Sequence, residues 1–319
     1  MPYNQYEASH NFYKGRVAPM IREQFEEYES RIAVGIAGEG SDCFGYDDYV
    51  SRDHDFGTGV CLWLTDEDME LFGDELGKAY DTLIDTHPGN NLTERLRERR
   101  GVMTIRKFYN NILECDCYNA NDDMSADTWL ALNHTCLATA VNGEVFRDDL
   151  GAFSSFRRVL LSYYPDTVWK IRIIDELHRF AQAMQVNYAR CMSRGDTVAA
   201  RQCHAEGLDS AMQLFFLMKR EYAPYYKWTF RRLEEIDDSE FAPLIKELAE
   251  ANLNGDMWDL GYDATFLNVN DPIVRLSERI ASRIVAMMRD NNLTDRRTPY
   301  LENYVDDLLK EVAFSCALE

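Results

Sequence analysis

One stretch, residues 35–64, constrains the fold of this chain more than any other. It leaves an apolar segment, turns at Gly40 and Ser41, passes through an acidic loop, and enters a second apolar segment at Asp53-His54-Asp55. On an extended backbone the two aspartates face the same side, about 6.5 Å apart. Such a pair suits one or two hard cations with a phosphate as the remaining partner. An isolated pattern of this kind is also typical of a solvated surface turn, but the glycine turn and flanking apolar segments favour the cation site.

Composition narrows the class of protein. The chain has 319 residues, of which 46% are hydrophobic, and its length suggests two domains. The sequence contains no run of about 18 apolar residues, so it predicts no membrane span. Residues 1–13 lack the apolar core of a signal peptide. The eight cysteines do not follow the spacings of a disulfide framework, so we expect reduced thiols in a cytoplasmic protein.

The charge of the chain bears on its partners. With 34 basic and 55 acidic residues the net charge is −21, which disfavours binding to bulk nucleic acid. Residues 94–107, ERLRERRGVMTIRK, are a local basic exception. This segment either holds the phosphates of a small ligand or short RNA, or is a solvated helix end before a strand.

Hydrophobic periodicity predicts a small α/β module in the first half of the chain. Thr65 begins a capping box, and Asn142-Gly143 is typical of the end of a helix. The predicted strands are 31–37, 55–64, 102–105 and 144–146, and the predicted helices are 12–28, 69–83, 108–113 and 128–141.

The pattern of the second half of the chain predicts helices without strands. Asp271-Pro272 and Thr298-Pro299 each resemble an N-cap followed by a proline at the first helical position. The predicted helices are 169–191, 198–219, 229–236, 240–252, 272–290 and 299–315. The predicted fold class is therefore α+β, an α/β module followed by an all-helical domain.

The glycine-serine turn and the two aspartates together predict a site for a nucleoside triphosphate. Free backbone N–H groups of the turn and the Ser41 hydroxyl can cradle phosphates. Asp53 and Asp55 would hold Mg²⁺, which offsets the charge that develops as pyrophosphate leaves.

The arrangement Gly40-Ser41 followed by Asp53-His54-Asp55 resembles the signature of the nucleotidyltransferase (DNA polymerase beta-like) superfamily. The segments GSDCFGYDDYVSRDHDFG, NGEVFRDDLGAF and YAPYYKW resemble the DUF4037 family, which is classed as nucleotidyltransferase-like. The resemblance implies a minimal nucleotidyltransferase fold joined to a helical domain. We expect the nucleotidyltransferase-like α/β domain at residues 1–152 and the helical domain at 153–319.

The resemblance carries Gly40, Ser41, Asp53 and Asp55 over as site residues, and Asp42 is expected to face the same site. Superfamily enzymes commonly add a third carboxylate on a later strand, but residues 102–105 offer none. The substitutes, as metal ligand or as base, are Glu144 and Asp148, followed by Glu114 and Asp116.

Two residues of the helical half are candidate ligands of the nucleotide. Lys227 is placed to reach a phosphate across an interdomain cleft, and Tyr226 to stack on the base. The alternatives are an ammonium that lies beside Tyr225 and Trp228, and a tyrosine packed in the core.

Two hypotheses on function follow. The first is a Mg²⁺-dependent nucleotidyltransferase that transfers a nucleoside monophosphate, AMP from ATP in the simplest case, to a hydroxyl of a small molecule or protein with release of pyrophosphate. The alternative is a catalytically inactive nucleotide-binding protein with a regulatory or interaction role.

Overall fold

The computed structural model describes residues 5–48, 50, 57–87, 94–119, 124–237, 240–258 and 267–316. The chain divides into two compact units, unit 1 (residues 1–163) and unit 2 (residues 164–319). Unit 1 contains one sheet and helices on both of its faces, while the described part of unit 2 contains helices without strands. The predicted α+β class is confirmed.

Unit 1 is built on a four-stranded sheet in the order β3-β2-β1-β4. The strands are β1 (Ala33–Ile36), β2 (Cys61–Leu64), β3 (Gly101–Thr104) and β4 (Glu144–Arg147). β1 is antiparallel to both β2 and β4, whereas β2 and β3 are parallel. All four strands lie within or beside the predicted strand segments, and β2 begins later than predicted, at Cys61.

Nine α-helices of unit 1 are present among its described residues. They are α1 (Gln5–Phe12), α2 (Ala18–Gln24), α3 (Asp66–Asp68), α4 (Asp74–Asp85), α5 (Glu94–Arg99), α6 (Ile105–Leu113), α7 (Ala126–Ala131), α8 (His134–Ala140) and α9 (Ala152–Leu161). A π-helical segment, Tyr13–Val17, joins α1 to α2. The Thr65 hydroxyl accepts a hydrogen bond from the Asp68 N–H at 3.1 Å, so the predicted N-terminal cap is confirmed.

Side chains that alternate along the strands give the sheet two apolar faces. On one face Val34 and Leu62 are buried against α2 and α4, in a cluster with Ile21 and Leu76. On the other face Trp63 stacks on Phe153 of α9, with ring centres 3.8 Å apart. The predicted domain border at 152/153 assigns α9 to the helical domain, but this helix packs on the sheet and lies within unit 1.

Unit 2 consists of long helices separated by short connections. They are α10 (Asp166–Phe180), α11 (Tyr188–Ser193), α12 (Thr197–Lys219), α13 (Tyr226–Ile236), α14 (Ala242–Glu250), α15 (Pro272–Asp290) and α16 (Glu302–Cys316). A π-helical segment, Ala181–Asn187, joins α10 to α11, so the long predicted helix 169–191 is confirmed.

The two predicted starts at proline have different outcomes. The buried Asp271 carboxylate accepts hydrogen bonds from the N–H groups of Ile273 and Val274 at 2.7 and 3.2 Å, so it caps α15 as predicted. The prediction for Thr298-Pro299 is wrong, since α16 begins at Glu302. Gln185 binds the Pro299 carbonyl and the Leu301 N–H, at 2.9 and 3.0 Å, and these two bonds hold the backbone outside the helix.

The cysteines correct a second expectation. Cys115 and Cys117 form a disulfide, so the expectation of reduced thiols is wrong for this pair. Among the described residues Cys43, Cys61, Cys136, Cys191 and Cys203 carry free thiols. In the part of the chain that the structure describes, no helix is long and apolar enough to cross a membrane.

Gly143, directly before β4, controls how closely β4 approaches β1. Its φ is +68°, and an added Cβ would lie 1.9 Å from the Ile36 carbonyl oxygen. Gly151, with a φ of +71°, has open space at the same position and is a matched control. We expect Gly143→Ala to destabilise unit 1 by about 3 kcal/mol and Gly151→Ala by about 1 kcal/mol, because only the first adds a steric clash to the strain of the left-handed backbone.

Hydrogen exchange of the β1 and β4 amides under increasing urea measures this difference within unit 1. Equal losses in the two variants would show that the β1–β4 approach is not close enough to require glycine.

Candidate functional site

Four strand ends meet at one edge of the sheet, which we call the site edge. Ile36, the last residue of β1, pairs with Glu144, the first residue of β4. Gly35 pairs with Cys61 at the start of β2, and Cys61 pairs with Gly101 at the start of β3. The loop that follows β1 therefore lies at the same edge as the segments that enter β2, β3 and β4.

The loop at 38–41 presents backbone donors at the site edge. Gly38 and Gly40 have φ values of +104° and +127°, which L-residues rarely adopt. Among the described residues, the N–H groups of Glu39, Gly40 and Ser41 have no hydrogen-bond acceptor. The Ser41 side chain also makes no capping bond to the 3₁₀ turn, Asp42–Phe44, that follows it. Successive free N–H groups in such a turn form a concavity that attracts anions.

Asn142 fixes this loop from the neighbouring strand connection. Its Oδ1 accepts from the Gly38 N–H at 2.8 Å, and its Nδ2 donates to the Gly38 carbonyl at 2.8 Å. Gly38 is thus held by both of its backbone polar groups. Sequence reasoning assigned Asn142 only to the end of a helix, because nothing in its local pattern indicates a partner 104 residues earlier.

Arg100, directly before β3, holds the loop through hydrogen bonds at both of its ends. Its Nη2 donates to Asp42 Oδ2 at 2.9 Å, and its Nη1 reaches the Ala37 carbonyl at 3.5 Å. The side chains of Arg100 and Asp42 are only 2% and 16% exposed. Burial by itself lowers the pKa of Arg100, but Cys43 and Asp42 raise it above its ordinary value, so the guanidinium stays charged.

Asp42 therefore has a structural partner. Its second carboxylate oxygen accepts from the Cys43 N–H at 3.0 Å, so both oxygens are engaged by the protein. The neighbouring Cys43 thiol is buried, and burial raises its pKa well above the ordinary value. A protonated, buried thiol is a poor nucleophile, which argues against thiol chemistry at this position.

Four arginines of the basic segment 94–107 form ion pairs within unit 1. Arg97 pairs with Asp85 at 2.6 Å, Arg99 with Glu39 at 2.6 Å, and Arg106 with Asp66 at 2.8 Å. Together with the buried Arg100, these cations are balanced by the protein itself. The pairing favours neither of the two expectations for this segment, a phosphate site or a solvated helix end.

Two candidate carboxylates lie near the loop. Glu144 is exposed at the site edge and forms a hydrogen bond with the Tyr6 hydroxyl. Burial is the largest cause that raises the pKa of Tyr6, and the Glu144 carboxylate is the next. The Tyr6 hydroxyl therefore remains a neutral donor. Glu114 ends α6, the helix whose Phe108 and Ile112 would each lie 3.3 Å from a Cβ at Gly38.

The pKa of Cys136 gives a second indication of where Glu114 lies. Burial raises the pKa of Cys136, and the carboxylates of Glu114 and Glu39 raise it further. Both carboxylates therefore lie within electrostatic range of one thiol. Since Glu39 belongs to the loop itself, Glu114 is placed on the same side of unit 1 as the site edge.

Asp148 and Asp116 are placed differently. Asp148 follows the far end of β4, four residues beyond Glu144, which corresponds to about 13 Å along a strand. Its carboxylate accepts the Ser154 N–H at 2.7 Å in the first turn of α9. Asp116 accepts a hydrogen bond from the Asn110 amide at 2.6 Å. The structure does not bring Asp148 together with Gly40 and Ser41.

Two predicted site residues lie outside the part of the chain that the structure describes. Asp53 and Asp55 lie outside the described residues, four and two positions before Gly57 in the sequence. Within the described residues, no group of three or more acidic, histidine or cysteine side chains is arranged to hold a metal ion. The role of Asp53 and Asp55 as magnesium ligands remains a prediction.

Tyr226 and Lys227 begin α13 in unit 2. Tyr226 is 75% exposed, so it is not packed in the core, and its ring centre lies 4.3 Å from that of Tyr225. The Lys227 ammonium lies 5.3 Å from the centre of the Trp228 ring, beside the aromatic residues as the alternative interpretation expected. Their roles as base and phosphate ligands remain predictions.

The buried pair predicts an asymmetric response to loss of a carboxylate. Asp42→Ala leaves the Arg100 charge buried without its partner, and we expect a loss of about 3 kcal/mol in the stability of unit 1. Asp85→Ala removes the exposed partner of Arg97 and should cost about 0.5 kcal/mol or less. Hydrogen exchange of the β3 amides under urea measures both, and a small, equal effect would show that the Arg100 pair does not support the sheet.

Comparison with known proteins finds one family. Residues 129–229 match the family described as Domain of unknown function (DUF4037). No match is found among curated proteins or among solved structures. The matched range contains Glu144 and Lys227 but begins after Gly40 and Ser41. In residues 129–229 the chain therefore carries the DUF4037 family pattern that its motifs NGEVFRDDLGAF and YAPYYKW predict.

Proposed function

We propose that this protein is a nucleotidyltransferase that binds a nucleoside triphosphate at the site edge of unit 1. It transfers the nucleoside monophosphate, AMP from ATP in the simplest case, to a hydroxyl group and releases pyrophosphate. The observation that carries the proposal is the loop at 38–41, where three consecutive N–H groups are free of acceptors among the described residues.

The loop suits a triphosphate for electrostatic and geometric reasons. Phosphate oxygens accept several hydrogen bonds from one small region, and the N–H groups of Glu39, Gly40 and Ser41 supply donors in sequence. The Ser41 hydroxyl adds a further donor at the same place. Because Asn142 and Arg100 hold the loop from two sides, these donors are oriented before the ligand arrives.

Asp53 and Asp55 enter this proposal as the residues that hold Mg²⁺. They precede Gly57 by four and two residues, and the described segment 57–60 leads into β2 at the site edge. Carboxylate oxygens are suitable ligands for a hard cation that also binds phosphate. When bound, the cation supplies charge stabilisation to the phosphates and to the leaving pyrophosphate.

A carboxylate at the site edge would act as the base. The acceptor hydroxyl oxygen forms a bond to the α-phosphorus, the bond to the bridging β-phosphate oxygen breaks, and the hydroxyl proton passes to the base. Glu144 is the first candidate because it lies at the site edge and is exposed. Glu114 is the second, and Asp148 is omitted because it lies at the other end of β4.

The surface charge favours a small molecule or a protein as the acceptor. A net charge of −21 repels the phosphates of tRNA or DNA. Arg97, Arg99 and Arg100 of the basic segment 94–107 offset little of this charge, since each pairs with a carboxylate of unit 1.

One observation favours a second candidate function, nucleotide binding without transfer. β3 has the sequence Gly-Val-Met-Thr, so it offers no carboxylate to complete the site. The residue that leads into it, Arg100, is buried in its pair with Asp42. If neither Glu144 nor Glu114 acts as the base, the site would bind a nucleotide and retain it unchanged.

Nucleotide binding is tested by a pair of glycine variants in the same loop. A Cβ at Gly40 would lie 2.2 Å from Asp42 Oδ1, whereas a Cβ at Gly45, whose φ is +71°, has open space. We expect Gly40→Ala to weaken ATP binding at least about tenfold and Gly45→Ala to leave it within about twofold, because only the first displaces the phosphate-binding N–H groups. Isothermal titration with ATP and Mg²⁺ measures both, and absence of ATP binding by the wild-type chain would refute both functions.

Transfer is tested with α-labelled ATP across a panel of hydroxyl-bearing metabolites and cell extract. The wild-type chain should release pyrophosphate and yield a labelled acceptor, and Asp53→Asn/Asp55→Asn should abolish both. We expect Glu144→Gln to lower the rate about 10²-fold or more as the loss of a general base. Asp148→Asn, a control directly after the far end of β4, should retain most activity. ATP binding with no transfer to any acceptor would favour the second candidate function. If Glu114→Gln alone lowers the rate, Glu114 is the base.

A further inference from the structure

The disulfide between Cys115 and Cys117 lies in the connection directly after α6. We propose that it is a thiol–disulfide exchange site, which accepts two electrons from a low-mass dithiol and reacts with neutral or cationic thiols in preference to anionic ones. The inference rests on the sulfur pair and its surroundings and does not depend on nucleotide binding.

The span of the disulfide argues against a structural cross-link. The two cysteines are separated by a single residue. A disulfide stabilises a fold mainly by restricting the unfolded chain, and the effect grows with the length of the loop that it closes. A bridge over one intervening residue therefore restricts the unfolded chain very little. Stabilisation of the fold does not explain this disulfide.

The segment around the pair is already held by other contacts. Asn110 of α6 donates to the Asp116 carboxylate at 2.6 Å and accepts from the Tyr118 N–H at 2.9 Å. Its carbonyl also accepts from the Cys115 N–H at 3.2 Å. The Tyr118 ring lies parallel to that of Tyr109, with ring centres 5.9 Å apart. Because these contacts do not require the disulfide, the segment can keep its place when the bond opens.

Exposure distinguishes this pair from the two buried thiols of unit 1, Cys43 and Cys61. Cys115 and Cys117 are half-buried, whereas Cys43 and Cys61 are buried. Attack on a disulfide requires access of a thiolate along the sulfur–sulfur axis. Exposed disulfides are the labile ones, and the half-buried Cys115 and Cys117 are more accessible to a thiolate than Cys43 and Cys61.

The surrounding charge determines which thiols react. Glu114 and Asp116 flank Cys115, and both are exposed. The cation that faces Asp116, Arg106, already pairs with Asp66 at 2.8 Å. The field at the disulfide is therefore negative, and it lowers the local concentration of an anionic thiol while it raises that of a cationic one.

The exchange is balanced with the dithiol as the sole co-reactant. One thiolate of the dithiol attacks a protein sulfur, a mixed disulfide forms, and the other protein sulfur leaves and takes up a proton. The second thiol of the reductant, as its thiolate, then attacks the mixed disulfide and releases the remaining protein thiol. The dithiol becomes a disulfide, and Cys115 and Cys117 become two thiols.

The first test is alkylation of the full chain under native conditions, with peptides identified by mass spectrometry. In air-oxidised protein, iodoacetamide should leave Cys115 and Cys117 unmodified, and prior dithiothreitol should make both reactive. Cys136, a half-buried free thiol of unit 1, should react equally in either state. The buried Cys43 should stay unmodified throughout, which shows that the chain remains folded.

Two results of this test would overturn the proposal. One is alkylation of Cys115 and Cys117 without reductant, since no disulfide would then exist to exchange. The other is reduction that occurs only together with exposure of Cys43, since the bond would then open only on unfolding. A Cys115→Ser/Cys117→Ser variant identifies the signal of this pair, because it should show no dithiothreitol-dependent modification.

The second test compares a cationic thiol, 2-aminoethanethiol, with an anionic one, 3-mercaptopropionate, at low salt. Each rate per thiolate is divided by the rate of the same thiol with a small uncharged disulfide, which removes the difference in intrinsic nucleophilicity. We expect the cationic thiol to react at least about threefold faster, and Asp116→Asn, which retains the size of the side chain, to reduce this ratio. Equal rates in the wild-type chain, or a ratio that Asp116→Asn leaves unchanged, would contradict the charge preference.

Discussion

The buried ion pair between Arg100 and Asp42 is the interaction on which the site edge depends. The Arg100 guanidinium, directly before β3, binds the Ala37 carbonyl directly after β1 and the Asp42 carboxylate in the turn that follows the loop at 38–41. A charge in such a position is tolerated only when acceptors surround it, because its removal from water is costly. Ala37, Asp42 and Cys43 supply those acceptors. The pair therefore ties the position of the loop to the pairing of β2 with β3.

Three supports from distant parts of the sequence converge on the same short loop. Arg100 reaches it from the residue before β3, Asn142 from the segment before β4, and Phe108 from α6. Each support acts on the backbone or on a side chain next to the donors, and none uses the N–H groups of Gly40 and Ser41. The donors are thus fixed in direction while they stay available, which is the condition for tight binding of an anion without a large ordering cost.

The sequence predicted those parts of the fold that local patterns encode. The four strands, the long helices of unit 2 and the cap at Asp271 follow from periodicity and from single residues next to a helix start. The glycine-serine loop was also identified, since positive φ requires glycine in short turns. The start of α16 was missed because Gln185, more than a hundred residues earlier, takes the backbone groups that would have begun the helix.

The candidate site was harder to predict because its supports are long-range. Arg100 belongs to a basic segment whose local pattern predicts phosphate binding or solvation, and only strand pairing shows that it is buried. Glu144 and Asp148 occur in one short motif, yet β4 separates them, so its register had to be known before either could be preferred. The disulfide was missed because one intervening residue matches no common structural framework.

The two hydrogen bonds between Asn142 and Gly38 have a consequence for the chemical stability of the protein. Asparagine is a thermolabile residue, and loss of its amide nitrogen on heating would leave a carboxylate at position 142. That group could still accept from the Gly38 N–H, but it would turn a second oxygen toward the Gly38 carbonyl in place of a donor. Chemical ageing at this one side chain would therefore loosen the loop at 38–41.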